Sequence, residues 1–346
     1  MLSMVRRVVP WAAVFVLGAC GGGGGSSSPA PPPPNPLYVR VSGKDTNSGA
    51  DPANALQTIS KAAQLARSGY KIFVGPGTYQ EGVTTVAVGV APQGLQFIAD
   101  VTGANTGDPP GPVRLDGASS GASAGFNLFR SPGSLIDGFT ITRFSDAGIV
   151  IKNGSDDFTI QNCMIANNPG SGDGIRVQDS DSVLIFNNLV NSNGGTGIVI
   201  AGQISGSKDA RVLSNTVVAN GARGIVVGNT SAASPRAVVH NNIVQGNSGD
   251  ANIKVFTNPR SDLGYDGNYN LVFRATYLPS SINGANDFNG DALFTGDFHL
   301  QPNSPAIDRG GPLNLPNSQT TILRARTTTG TNLDTGVFDL GFHFPR

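Results

Sequence analysis

The chain has 346 residues and a formal net charge of zero, from 23 basic and 23 acidic side chains. This balance excludes a bulk electrostatic attraction to nucleic acid or another polyanion. The 47 glycines, with Glu81 as the single glutamate, leave little material for helices. The two cysteines, Cys20 and Cys163, fall on either side of the segment boundary described next, so no disulfide is expected within the folded part. No His/Cys spacing suits zinc, and there is neither a phosphate-binding loop nor a dinucleotide fingerprint.

Residues 1–19 have the character of a targeting segment. Arg6 and Arg7 carry charge, and Val8 to Leu17 is a short apolar run interrupted by Pro10, too short to span a bilayer. Gly18 and Ala19 before Cys20 resemble the lipobox of bacterial lipoproteins. That resemblance implies cleavage before Cys20, lipidation of Cys20, and an exported protein held at the cell envelope, in the outer membrane or at the cell surface. Gly21 stands where that family's inner-membrane retention signal has an aspartate. Residues 20–36, "CGGGGGSSSPAPPPPNP", have no apolar side chain able to build a core and are expected to form a tether, flexible and then proline-stiffened. Residues 37–346 remain, about 310 residues, enough for one large core.

From Leu37 the pattern predicts a strand, a short amphipathic helix with Ile59, Ala62, Ala63, Leu65 and Ala66 on one face and Gly69 as its stop, and a strand at "GTY". An internal repeat follows. "GIVIKNG", "GIRVQDS", "GIVIAGQ" and "GIVVGNT" begin at Gly148, Gly174, Gly197 and Gly224, with "GFNLFRS" at Gly125 one step before and "NIKVFTN" at Asn252 one step after. A second phrase is interleaved, "FTIQNCMI", "VLIFNNLV", "RVLSNTVV" and "AVVHNNIV", aligning Asn162, Asn187, Asn215 and Asn241, with Gly138 in the same place one step earlier. Each unit holds short strands alternating at period two, separated by Gly, Asn, Ser and Asp, which tolerate tight turns. No unit can bury its own apolar face. Stacking buries it, with Ile149, Ile175, Ile198, Ile225 and Ile253 in one inward column and parallel strands about 4.8 Å apart.

With these phrases in view, the chain resembles the right-handed parallel β-helix proteins, the fold of pectate lyases and of many bacterial surface proteins. Residues 37–83 look like the opening phrase of a bacterial β-helix group, and "SPAIDRG" (304–310) and "RTTTGTNLDTGVFDLGFHF" (326–344) look like its closing phrases. The expected fold is all-β, a right-handed parallel β-helix solenoid of about ten coils with a short N-terminal capping helix. The group includes lyases, hydrolases and proteins without chemistry, so the fold by itself names no activity.

Alternation places one outward column at Asn127, Val150, Arg176, Val199, Val226 and Lys254, and a second at Phe129, Lys152, Gln178, Ala201, Gly228 and Phe256. Lys152 and Arg176 then sit on adjacent coils, one column apart. Cleavage of a uronic-acid polymer by β-elimination needs a base for the C5 proton and a cation for the carboxylate, and a lysine of lowered pKa beside an arginine supplies both. The resemblance to β-helix polysaccharide lyases implies such roles for Lys152 and Arg176, often with Asp-bound calcium. Asn127, Gln178 and Lys254 are candidate substrate contacts. Asp156, Asp181 and Asp209, which align from coil to coil in this reading, are candidate calcium ligands, with Asp157 and Asp179 nearby, although Asp before a strand also suits backbone bonding. Calcium is the one cofactor suggested.

The leading expectation is an exported, lipid-anchored, monomeric protein that contacts polysaccharide, with lyase-like chemistry and no nucleic-acid partner. One alternative is a non-catalytic scaffold or adhesin. Another is a glycoside hydrolase using paired Asp, where Asp156 and Asp157 resemble the paired acids of β-helix polygalacturonases. Phe129, Phe256, Tyr265, Tyr269 and Tyr277 are expected to pack under loops, Cys163 to be buried, and Asp308, Asp334, Asp339 and His343 to satisfy backbone groups at the C-terminal end.

Overall fold

The computed structural model describes residues 35–85, 92–204, 206–257, 260–274, 277–329 and 333–344. Residues 1–19, Cys20 and all but the last two residues of the expected tether lie outside them.

Period-two alternation and glycine-rich corners produce three parallel sheets that the chain visits in turn. Sheet A has nine strands, from Leu37–Val39 to Asp266–Asn268, and the register Ile136, Ile160, Ile185, Val212, Val239 forms its inward column. Sheet B has eight strands, from Gly77–Tyr79 to Leu271–Phe273. Sheet C also has eight, from Val83–Thr85 to Tyr277–Leu278, and pairs Phe126, Ile149, Ile175, Ile198, Ile225 and Ile253 in succession. These columns are fully buried and merge in one continuous core. Toward the N-terminal coils the core is aromatic, with Phe126 edge-on to both Phe97 and Phe139 at 5.3 Å between ring centroids. Nine, eight and eight strands among the described residues make fewer coils than the ten expected.

Each corner has its own hydrogen-bond ladder. Between sheets A and B the chain turns in the left-handed region at Gly138, Asn162, Asn187, Ser214 and Asn241. Glycine and asparagine enter that region most readily, which accounts for the composition of the column. The next residue inward carries the ladder. The side-chain amide of Asn188 donates to Asn215 Oδ1, Asn215 to Asn242 Oδ1 and Asn242 to Asn270 Oδ1, each at 3.0 Å. The expected column of Asn162, Asn187, Asn215 and Asn241 is therefore off by one at its third member. Asn215 stacks with Asn188 and Asn242, and Ser214 fills the left-handed position. A second ladder, Asn168, Asn193, Asn220 and Asn247, runs up the corner between sheets B and C. A third, of serines, links backbone N–H to Oγ from Ser131 through Ser155, Ser180, Ser207 and Ser234 to Ser261. All three satisfy buried backbone groups where no strand pairing exists.

The capping helix spans Ile59–Leu65 and buries Ile59, Ala62 and Ala63. Thr58 caps it, and the chain's single glutamate, Glu81, accepts the N–H groups of Ile59 and Ser60 at 2.7 and 2.9 Å. The helix ends at Ala66 in extended backbone, and Gly69 instead forms the left-handed turn into the next strand.

At the other end, residues 311–329 and 333–344 fold back over the outward faces of sheets A and B. Phe186 and Leu213 point outward by alternation yet are buried beneath Leu323, and Leu189 and Val218 are buried beneath Phe342. Asp334, Asp339 and His343 serve backbone and one another, as expected, whereas Asp308 takes part through its own N–H. Asp339 accepts the Asp308 N–H, Asp334 accepts the Asp339 N–H, and His343 Nε2 lies 3.1 Å from Asp334. Cys163 is fully buried, and burial pushes its thiol up to about 12. The C-terminal residues that cover sheets A and B are not among those packed on the outward face of sheet C, where Val150 and Val226 are nevertheless buried.

Candidate functional site

Alternation along sheet C sets the two outward columns as the sequence predicts. Val150 pairs with Asn127 on one side and Arg176 on the other, and Lys152 pairs with Phe129 and Gln178. Arg176 is followed by Val199, Val226 and Lys254. Lys254 thus stands three strand spacings, about 14 Å, from Arg176. It is held by Asp250 at 3.1 Å, which also pairs with Arg223. The structure groups Asn127, Phe129, Lys152, Arg176 and Gln178 and leaves Lys254 outside that group.

Lys152 rests its ammonium over the ring of Phe129, 4.2 Å from the centroid. No carboxylate pairs with it among the described residues. Burial lowers its pKa, Asp146 opposes that effect, and Arg176 adds to it. Below it, Val150 packs with Ala124 and Ala147 and is 2 % exposed. The outward column is therefore not a uniformly wet face. Asn127 Oδ1 is buried without a hydrogen-bond partner among the described residues.

Arg176 is 21 % exposed and bracketed by two carboxylates. Its Nε donates to Asp173 at 2.9 Å, Nη1 to the Asp146 carboxylate at 2.8 Å and Nη2 to the Asp146 carbonyl at 3.2 Å. Burial works against the charge, but the Asp146 and Asp173 contacts outweigh it and hold the pKa above the ordinary arginine value. Asp173 lies deeper. Burial raises its pKa despite Arg176 and the Thr196 N–H it accepts at 2.8 Å. Sequence reasoning missed this pair. The available signal was an aspartate just before two successive glycine-isoleucine strands, "DAGI" and "DGI".

The aspartates at the corner between sheets C and A act on the backbone. Asp156 accepts the Asp181 N–H and Asp181 accepts the Lys208 N–H, both at 2.8 Å. The register continues with Lys208, so Asp209 is not in the column of Asp156 and Asp181, contrary to the sequence alignment. Asp209 pairs with Arg236, which lowers its pKa. Asp157 occupies a left-handed turn position, and its N–H donates to Asp181 O. Asp179 accepts the N–H groups of Gln203 and Ile204. Among the described residues, the acidic side chains close enough to share a cation are Asp308, Asp334 and Asp339, with ligand atoms within 4.8 Å. Two of them, Asp334 and Asp339, are already engaged with backbone N–H groups.

A family model described as "Right handed beta helix region" matches residues 118–261. The fold is a right-handed parallel β-helix. Among solved structures the chain is similar to pectate lyase Pel9A, at 17 % identity and a TM-score of 0.48, covering 88 % of this chain and 96 % of that one. It is similar to a rhamnogalacturonan lyase at 13 % identity and a TM-score of 0.42, with the same coverage. It is also similar to the periplasmic alginate epimerase AlgG at 17 % identity and a TM-score of 0.39, covering 68 % of this chain and 52 % of the epimerase. No curated protein matches. Identities this low speak to architecture and carry no activity with them.

Proposed function

We propose that this protein contacts an acidic polysaccharide along sheet C, with Lys152 as the base of a lyase-type reaction. The observation that carries the reading is the state of Lys152, a cation on the open sheet, lowered in pKa by burial and without a carboxylate partner among the described residues. In β-elimination the neutral amine takes the C5 proton, the C5–H electrons form the C4–C5 double bond, and the C4–O bond breaks as the leaving oxygen gains a proton. Arg176 stands one coil away to face the uronate carboxylate, and Gln178, paired with Lys152 on the same coil as Arg176, lies within the same group. A second reading, binding without chemistry, is supported by the two carboxylates that already compensate Arg176 and by the small side chains of Val199 and Ala201.

The test mixes the chain from Pro33 onward, a compact unit whose core draws on no residue before Leu37, with pectate, alginate and glycosaminoglycans. It is run with and without calcium, because Asp156 and Asp181 remain neighbours beside this face. Ultraviolet absorbance from unsaturated uronide products is expected, and Lys152→Ala should lower the rate about 10²-fold or more. The neutral amine is the active form, so the rate should rise with pH along a limb centred below the ordinary lysine range. No product on any polymer rejects the lyase reaction. Binding that survives and weakens in Lys152→Ala would then leave contact without chemistry, and no binding would leave the scaffold reading.

The phrase Gly18–Ala19–Cys20 supports export and lipid anchoring at the cell envelope. Expressed as the full chain in a Gram-negative host, the protein should incorporate labelled palmitate and fractionate with membranes. Cys20→Ser should abolish both, and labelling that persists in that variant would reject the anchor.

A further inference from the structure

The C-terminal segment follows the corner between sheets A and B. Gly341 N–H donates to Asn241 O and Phe342 N–H to Thr216 Oγ1, both at 3.0 Å, while Asn187 exchanges two hydrogen bonds with His343. Toward the N-terminal coils the same corner continues with Asn162 and Gly138, and there it opens into a groove of about 310 Å³. That volume is at the small end of ligand cavities.

The groove has two kinds of wall. One is apolar: Phe342 and Phe344, edge-to-face at 4.8 Å, with Met164, whose side chain is 38 % exposed, opposite them. Phe344 is backed by the ring of His299, stacked 3.6 Å away at 8°, which limits its movement. The other wall is polar and oriented. Asp137 accepts the amides of Gln161 at 3.0 Å and Asn162 at 2.7 Å, one on each carboxylate oxygen, so each oxygen keeps acceptor capacity. Thr140 occupies the same register column as Thr216, the residue that receives Phe342 N–H, and has no side-chain partner among the described residues. None of the lining residues is basic.

From this arrangement we infer that the groove is a binding site for a neutral sugar residue of a glycan. The apolar face of a pyranose fits the phenylalanine and thioether surface, and its hydroxyls fit a fixed carboxylate flanked by amides. A uronate is disfavoured, because its carboxylate would be placed beside Asp137 with no cation between them. The inference extends the glycan reading to a second face with the opposite charge preference. Sheet C takes acidic residues through Lys152, and this corner takes neutral ones.

Calorimetric titration of the chain from Pro33 onward with neutral gluco-, manno-, galacto- and xylo-oligosaccharides, against oligouronates, tests it. Saturable binding of at least one neutral series is expected. Phe344→Ala and, separately, Met164→Ser should each weaken it about three- to tenfold. Thermal melting checks that the fold is intact, and Met164, which lies outside the C-terminal segment, provides a readout if Phe344→Ala loosens that segment. Lys152→Ala should leave neutral-sugar binding unchanged while altering the uronide response, so the two sites fail separately. Absence of saturable binding by every neutral series, or binding indifferent to both groove variants, or loss of it in Lys152→Ala, overturns the proposal.

Discussion

Replacing Asn215 with leucine is expected to destabilise the β-helix by about 2–6 kcal/mol, although the two side chains have the same branching of heavy atoms. Asn215 is fully buried. Its Oδ1 accepts the backbone N–H of Asn188 at 2.9 Å and the Asn188 amide at 3.0 Å, and its Nδ2 donates to Ile185 O, Leu213 O and Asn242 Oδ1. Leucine crowds the space and leaves at least two of these groups dry and unpaired, and each costs about 1–3 kcal/mol. Because a solenoid couples mainly neighbouring coils, the loss should be felt locally. Urea unfolding should show the lower stability, and hydrogen exchange should accelerate first at Asn188. A change below about 1 kcal/mol would mean that water or relaxation replaces the ladder.

The second large effect is expected at Gly197, where alanine should cost about 3 kcal/mol or more. The added Cβ would lie 2.4 Å from Val217 Cγ1, 2.8 Å from Gly224 O and 2.9 Å from Asn220 Nδ2. The same crowding recurs at Gly148, Gly174 and Gly224, against Ile165, Val190 and Val244. The glycine that marks each repeat is thus required by the close approach of sheet B side chains where the chain enters sheet C. Thermal melting of Gly197→Ala, Val217→Ala and the double variant checks this. The double variant should be more stable than the sum of the single losses, because Val217→Ala removes the nearest clash, by about 1 kcal/mol. Strict additivity would indicate that the carbonyl of Gly224, and not the valine, sets the cost.

The face of sheet C was legible because its strands from Ala124–Phe129 to Ile225–Val227 are six residues or fewer, each has a glycine in second place or just before it, and all alternate cleanly. Pairing Val150 with Arg176 and Lys152 with Gln178 needs only that count. The corner between sheets A and B was less legible. In "RVLSNTVV" both Ser214 and Asn215 are small and polar, so the count admits two alignments, and the hydrogen bonds to Asn188 and Asn242 select one. The ladder from Asn168 to Asn247 was available in the sequence at spacings of 25 to 27 residues but stands in turns, where no alternation draws attention to it. The partners of Arg176 were missed because Asp173, three residues earlier on the same strand, counts by alternation to the opposite face, and Asp146 stands just before the neighbouring strand.

The sequence by itself determined the repeat, the inward isoleucine column, the capping helix and the placing of Lys152 beside Arg176, since each follows from local periodicity and glycine placement. Only the tertiary structure decided which faces stay open. Phe186, Leu189, Leu213 and Val218 are outward residues on short strands, and their burial depends on Leu323 and Phe342 returning across more than a hundred positions of chain. The groove at Asp137 and Phe344 arises from the same return. Periodicity records how a strand meets its neighbouring coil, whereas a long-range return is held by contacts that leave no period in the chain.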